Sequence, residues 1–166
     1  FNNKALLNMP FYLPGITLNS LSIKAFNLAY YGKELKKEAQ SIIPYDPFFY
    51  PLDAILNWNR MYGKSGFVQY QFVLPLESSK KGLEVILKKI NDKGMGSFLA
   101  VLKLFGEENP GYLSFPFKGY TLALDFPVKK GLFEFLNELD VVVKDFNGRI
   151  YLTKDARMEK EMFLDT

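Results

Sequence analysis

Phe67-Val68-Gln69-Tyr70-Gln71-Phe72-Val73-Leu74-Pro75 is the stretch whose reading decides the fold. Aromatic and β-branched residues fill most of it, and Pro75 cannot donate to a ladder, so it predicts a buried strand that ends at the proline. Side chains alternate along a strand, which puts Val68, Tyr70, Phe72 and Leu74 on one face and Phe67, Gln69, Gln71 and Val73 on the other. A buried amide without hydrogen bonds costs about 1–3 kcal/mol, so the face that carries Gln69 and Gln71 needs polar company. That company is either loop backbone or a ligand.

Working outward from this strand gives one repeating pattern. Leu83, Ile86, Leu87 and Ile90 lie at helical spacing after Ser78 and Ser79 and before Asn91-Asp92-Lys93-Gly94. Ser97 to Phe105 reads as a second strand, residues 106–111 as a turn, Gly119 to Val128 as a third strand and Leu132 to Val143 as a second helix. Asn147-Gly148 then turns into a last strand from Arg149 to about Thr153, followed by a charged, helical or frayed tail. The order β-α-β-β-α-β predicts an α+β, ferredoxin-like antiparallel sheet with two helices on one face. Parity then gathers Gln69, Gln71, Lys103, Thr121, Ala123, Asp125, Arg149 and Tyr151 on the face away from the helices, a surface suited to a ligand or another domain.

Residues 1–66 read as a helical and loop extension ahead of this domain at 67–166. Thr17 or Asn19 is expected to cap a helix running to about Gln40, with Leu18, Leu21, Ala25, Leu28 and Ala29 packed on the protein and Lys33, Lys36 and Lys37 favoured by the helix dipole. The alternative is a membrane-surface helix using Phe26, Tyr30 and Tyr31. Residues 44–51 hold three prolines, too many for a helix, and Asp53 is expected to cap a short helix through Ile55, Trp58 and Met61.

Composition narrows the chemistry. The 166 residues are 48% hydrophobic, enough for a real core, and contain neither Cys nor His. That removes thiolate nucleophiles, the commonest general base and the commonest metal ligands, so no metal site is expected. Net charge is +3, too balanced to imply nucleic acid. No glycine-rich phosphate loop is present, and residues 96–101 lack the spacing and the basic residue of an RNA-recognition strand. The first residues have neither an initiator Met nor the layout of a signal peptide, and no apolar run is long enough to span a membrane, so a cytoplasmic piece of a longer chain is expected. Gly148-Arg149-Ile150-Tyr151-Leu152-Thr153-Lys154-Asp155-Ala156-Arg157 is the most chemically suggestive run: a strand end delivers Tyr151 and Lys154, with Asp155 and Arg157 near enough to fix their geometry. An ordinary strand exit with solvated charges, and a snorkelling lysine at Lys103, are the plainer readings.

Several blocks in order raise the first possibility. Phe49–Asp53, Trp58–Gly63, Gly66–Pro75, Ser97–Gly106, Leu113–Pro116, Asp125–Pro127 and Gly148–Arg157 together resemble the substrate domain of FAD-linked oxidoreductases of the vanillyl-alcohol-oxidase superfamily. The resemblance implies that FAD is held mainly by a separate N-terminal domain of the same longer chain, and that the sheet here roofs the isoalloxazine. It implies oxidation of a secondary hydroxyl of a sugar, such as a polyprenyl-phospho-ribose, by hydride transfer to flavin N5. It further implies the flavoprotein half of an epimerisation that feeds cell-wall arabinan precursors, with a short-chain reductase as an expected partner and a location peripheral to the inner membrane. Carried over residue by residue, Lys154 and Tyr151 are catalytic and lie beside flavin and substrate, and Gln71 lies near the flavin. Gln69, Lys103, Thr121 and Tyr50 go to the substrate, with residues 50–66 as a mobile cover. Thr121 and Ala123 stand where some relatives in the family have Asn and Cys. The competing reading is a non-enzymatic ferredoxin-like module for RNA or a small ligand.

Overall fold

A computed structural model of the chain describes residues 5, 7–17, 19–34, 36–97, 99–155 and 157–165. It divides into two compact units, Phe1–Gly66 and Phe67–Thr166. In the first, β1 (Leu7–Asn8) pairs in parallel with β2 (Ile55–Leu56). Arg60 fastens the strand exit by donating to the carbonyls of Met9 (2.9 Å) and Pro10 (3.0 Å). Between them lie α1 (Ser20–Tyr31) and the single turn α2 (Tyr45–Phe49).

Four expectations for this unit are corrected. Helix α1 is capped by Asn19, whose Oδ1 accepts from the backbone of Leu21 and Ser22, but it stops at Gly32 rather than near Gln40. Glycine is among the weakest helix formers, and Lys33, Lys36 and Lys37 therefore lie beyond the last turn, where the dipole argument does not reach them. Nor is the helix packed within this unit, where Leu21, Leu28 and Tyr31 are each more than three-quarters exposed. The expected apolar position Leu18 lies outside the described residues. Residues 45–49 are helical despite Pro47, because Pro47 falls in the first turn, where its missing N–H would have no intrahelical partner. The helix expected after Asp53 is instead two 3₁₀ turns around β2, interrupted at Asn57, whose φ of 55° is left-handed.

The second unit follows the predicted order: β3 (Phe67–Pro75), α3 (Leu76–Asp92), β4 (Ala100–Phe105), β5 (Gly119–Pro127), α4 (Leu132–Asp145) and β6 (Arg149–Ile150), then α5 (Lys160–Asp165). The four strands form one antiparallel sheet in the order β4-β5-β3-β6, with α3 and α4 packed on one side, an α+β ferredoxin-like arrangement. The core sits between sheet and helices. Val68, Tyr70, Phe72 and Leu74 of β3 and Leu122, Leu124 and Phe126 of β5 meet Ile86 and Ile90 of α3 and Leu132, Phe135, Leu136, Leu139 and Val143 of α4.

The alternation therefore holds across strands without a bulge. Register pairs Val101 with Ala123 and Ala123 with Gln71, pairs Lys103 with Thr121 and Thr121 with Val73, and pairs Asp125 with Gln69. These residues make rows on the face away from the helices. Two strands are shorter than expected: the second starts at Ala100 rather than Ser97, with Phe98 outside the described residues, and the last ends at Ile150 rather than Thr153. Among the described residues no helix is long and apolar enough to cross a membrane.

Candidate functional site

The face away from the helices is covered unevenly. At one end, residues 106–118 fold back over it: Phe115, nearly buried, stacks on Tyr151 with ring centroids 4.4 Å apart and meets Phe105 edge-on at 5.8 Å. Arg149 holds this loop down, donating to the Ser114 carbonyl at 3.0 Å, pairing with Glu108 and lying 5.1 Å from the Phe117 ring. Val73 and Thr121, in the row beneath, are buried. Tyr151 is thus a ring backed on one side by another ring.

At the other end the short β6 decides the geometry. It pairs with β3 only at Phe72 and Val73, and one further bond follows, from the Tyr151 N–H to the Gln71 carbonyl at 2.9 Å. Beyond that point β3 has an open edge, and an unpaired backbone donor there needs an acceptor. Asp155 supplies it: its carboxylate accepts the Gln69 N–H at 2.6 Å. The chain between Tyr151 and Asp155 therefore makes a turn held against the strand edge at both ends, with Lys154 on it. Lys154 Nζ donates to Gln69 Oε1 at 3.1 Å and lies 5.8 Å from the centroid of the Tyr151 ring. Gln69 Nε2 in turn donates to Asp125 Oδ1 at 2.9 Å. Ammonium, amide and buried carboxylate thus form one connected line, Lys154–Gln69–Asp125, in which the amide has both ends satisfied. A cavity of about 290 Å³ opens here, lined among others by Gln69, Gln71, Tyr151, Lys154, Asp155 and Arg157.

The predicted site residues fall as follows. Gln69, Gln71, Tyr151 and Lys154 come together around this cavity. Gln71 Nε2 donates to Thr121 Oγ1 at 3.1 Å, and Thr121 donates to the Phe72 carbonyl at 2.8 Å, so Thr121 is a buried support for Gln71. Lys103 is exposed on the edge strand β4, opposite Thr121 in register. Tyr50 belongs to the first unit, where its ring meets Tyr45 edge-on at 6.1 Å. The two strand amides, read as needing loop backbone or a ligand, take side-chain partners: Gln69 bonds Asp125 on the face and Lys154 on the turn, and Gln71 bonds Thr121.

Sequence reasoning missed Asp125 as a partner for Gln69, Phe115 as the backing of Tyr151, and a buried cluster behind the Lys154 turn. There, Tyr70 donates its hydroxyl to Asp140 Oδ1 at 2.9 Å, and Arg157 pairs with the same carboxylate oxygen while donating to Asn137 Oδ1 at 2.9 Å. Burial pushes the Tyr70 phenol well above its ordinary value, and the Asp140 charge adds to the rise while Arg157 opposes it. A signal for the cluster was available. Asp140 lies four residues after Leu136 and three before Val143, inside the apolar stripe of its helix, where a charge requires a partner.

No family model matches the chain. Over 165 residues, 98% of its length, it is 39% identical to decaprenylphosphoryl-beta-D-ribose oxidase of Mycolicibacterium smegmatis. Over 81 residues, 48% of its length, it is 37% identical to an uncharacterized protein of Streptomyces coelicolor. The chain spans 35% of the first relative and 22% of the second. The resemblance read from the ordered sequence blocks is thereby borne out as similarity to an oxidase over nearly the whole chain.

Proposed function

We propose that this chain is the substrate-binding part of an FAD-dependent oxidoreductase that oxidises a secondary hydroxyl of a sugar, with a polyprenyl-phospho-ribose as the class of substrate. One observation carries the reading: Lys154, Tyr151, Gln69 and Gln71 meet at a cavity on the open edge of β3, with Lys154 Nζ held 3.1 Å from Gln69 Oε1. The similarity to an oxidase whose name specifies a decaprenylphosphoryl-ribose supports the substrate class.

The residues fit a flavin edge. An isoalloxazine presents a flat ring with carbonyl and ring-nitrogen acceptors and one N–H donor along one side. Opposite it this face offers the small Ala123, the Gln71 amide, the Tyr151 phenol and the Lys154 ammonium. Gln71 Oε1 accepts no hydrogen bond among the described residues, so it is open to a donor. Gln71, Tyr151 and Lys154 would hold the edge of the cofactor, while most of FAD would be bound by a domain outside this chain. When bound, FAD supplies the acceptor for the hydride that leaves the carbinol carbon.

The chain's own groups do the rest. Lys154 orients the substrate hydroxyl, either as an ammonium that polarises it or as a neutral amine that takes its proton, and the line to Gln69 and Asp125 keeps Nζ aimed. Tyr151, backed by Phe115, forms a rigid wall that aligns the sugar. Gln69 contributes to its recognition, and Lys103 offers an exposed cation to the phosphoryl group. Thr121 supports Gln71 from below. The test uses the longer chain that includes the FAD domain: under anaerobic conditions, polyprenyl-phospho-ribose should bleach the flavin absorbance. A longer chain that binds no FAD, or a bound flavin that no pentose-lipid reduces, would refute the proposal.

A further inference from the structure

The turn that carries Lys154 is tied down on two sides. Toward the sheet, Asp155 accepts from the Gln69 backbone at 2.6 Å and the Tyr151 N–H donates to Gln71. Toward the helices, Arg157 reaches α4, where it binds Asp140 and Asn137, and its guanidinium lies 5.2 Å from the centroid of the Tyr70 ring. Arg157 and Asp140 are 11% and 6% exposed in their side chains, so this is a buried pair rather than a surface contact. Such a pair usually adds little net stability relative to well-packed apolar residues, because both charges lose their hydration; holding geometry is the other use such a pair has in some proteins. Here the geometry concerns Lys154, three residues before Arg157 in the same cavity wall.

We propose that Asp140 is a positioning residue for Lys154, acting through Arg157: the carboxylate, shared with Tyr70, sets where the guanidinium lies, and the guanidinium sets the exit of the turn. Lys154 Nζ is thereby held on Gln69 Oε1 and aimed into the cavity. Asp140 itself touches neither substrate nor cofactor. The inference rests on the reading of Lys154 as the group that meets the substrate hydroxyl. It adds that the aim of Lys154 is set from helix α4, through Arg157 at the cavity wall.

The test compares the wild-type full-length flavoprotein with the apolar pair Asp140→Leu/Arg157→Met and with Arg157→Lys. Two quantities are read: the Lys154–Gln69 contact in crystal structures, and the rate constant and substrate affinity of anaerobic flavin reduction. The apolar pair should fold, lose the 3.1 Å contact and slow reduction by about 10- to 100-fold, with substrate affinity changed by less than about threefold. Arg157→Lys keeps the charge but not the two-armed reach to Asp140 and Asn137. It should show a smaller loss of the same kind, and it decides the matter if the apolar pair does not fold. A folded pair variant, or failing that Arg157→Lys, with the contact intact and reduction within about twofold of wild type overturns the proposal. If wild type itself shows no reduction while the variants lose the contact, the functional reading fails and the positioning role stands.

Discussion

Gly119→Ala is the substitution that most severely tests the register on which the candidate site depends. A Cβ added at Gly119 would lie 2.0 Å from the Leu74 carbonyl oxygen and 2.9 Å from its carbon, against backbone that cannot rotate away. Relief requires β3 and β5 to part where Pro75 faces Gly119. That loosens the end of the ladder, at about 1 kcal/mol per hydrogen bond, and displaces Leu74, a fully buried core residue, at about 1–3 kcal/mol for an overpacked core position. The combined destabilisation is about 3 kcal/mol. With a denaturant slope of about 2 kcal/mol/M, it lowers the urea midpoint, followed by circular dichroism, by about 1.5 M. Gly106→Ala is the control, because an added Cβ there meets nothing within 4 Å, and its midpoint should stay within about 0.3 M of wild type. A Gly119→Ala midpoint equally close to wild type would refute the register. The pairing of Gln71 with Ala123 and of Gln69 with Asp125 counts from the same ladder, and a slip by one residue would turn both amides into the core.

Phe115→Ala should cost about 3 kcal/mol, removing a nearly buried ring and the backing of Tyr151, and should make residues 106–118 the first site of limited proteolysis; unchanged protection of that loop contradicts its role. Tyr70→Phe should cost about 1–2 kcal/mol at pH 7 by removing the bond to Asp140. Because folding raises the Tyr70 pKa, its contribution is fully present below the unfolded value near pH 10 and is lost as pH rises toward the folded one. Wild type should therefore lose stability above about pH 10 more steeply than Tyr70→Phe, and parallel urea midpoints across that range contradict the assignment. Lys103→Ala should leave stability within about 0.5 kcal/mol, as expected of an exposed side chain, while weakening the binding of a phosphorylated substrate to the full-length flavoprotein; unchanged affinity removes Lys103 from the site.

Much of the fold was legible because its information is local and periodic. The alternation in Phe67–Pro75 and Gly119–Pro127 and the apolar stripes of α3 and α4 each specify an element and its buried face, and the element order then leaves few topologies. The rows of the open face followed from parity alone. What was not legible depends on contacts far apart in sequence. β6 stops at Ile150 because Asp155 takes over the Gln69 donor 86 residues away, and no local signal at Leu152 or Thr153 reveals that competition. Gln69 was visibly in need of partners, but its choice of Asp125 and Lys154 required the register of β5 and the course of the turn. Asp140 announced a buried charge without announcing Arg157 or Tyr70 as its answer. In the first unit, the apolar residues of α1 suggested packing, yet the helix leaves Leu21 and Leu28 exposed. Apolar spacing reports the capacity to bury a face and not the presence of something to bury it against.

The most direct test of the central claim is flavin reduction in Lys154→Ala, made in the full-length flavoprotein and followed by anaerobic stopped-flow absorbance with polyprenyl-phospho-ribose. Loss of the ammonium held on Gln69 should slow reduction by about 10²-fold or more, with FAD still bound at wild-type stoichiometry. Reduction at a near-normal rate would contradict the assignment of Lys154 to the substrate hydroxyl, and with it the function proposed for this sheet face.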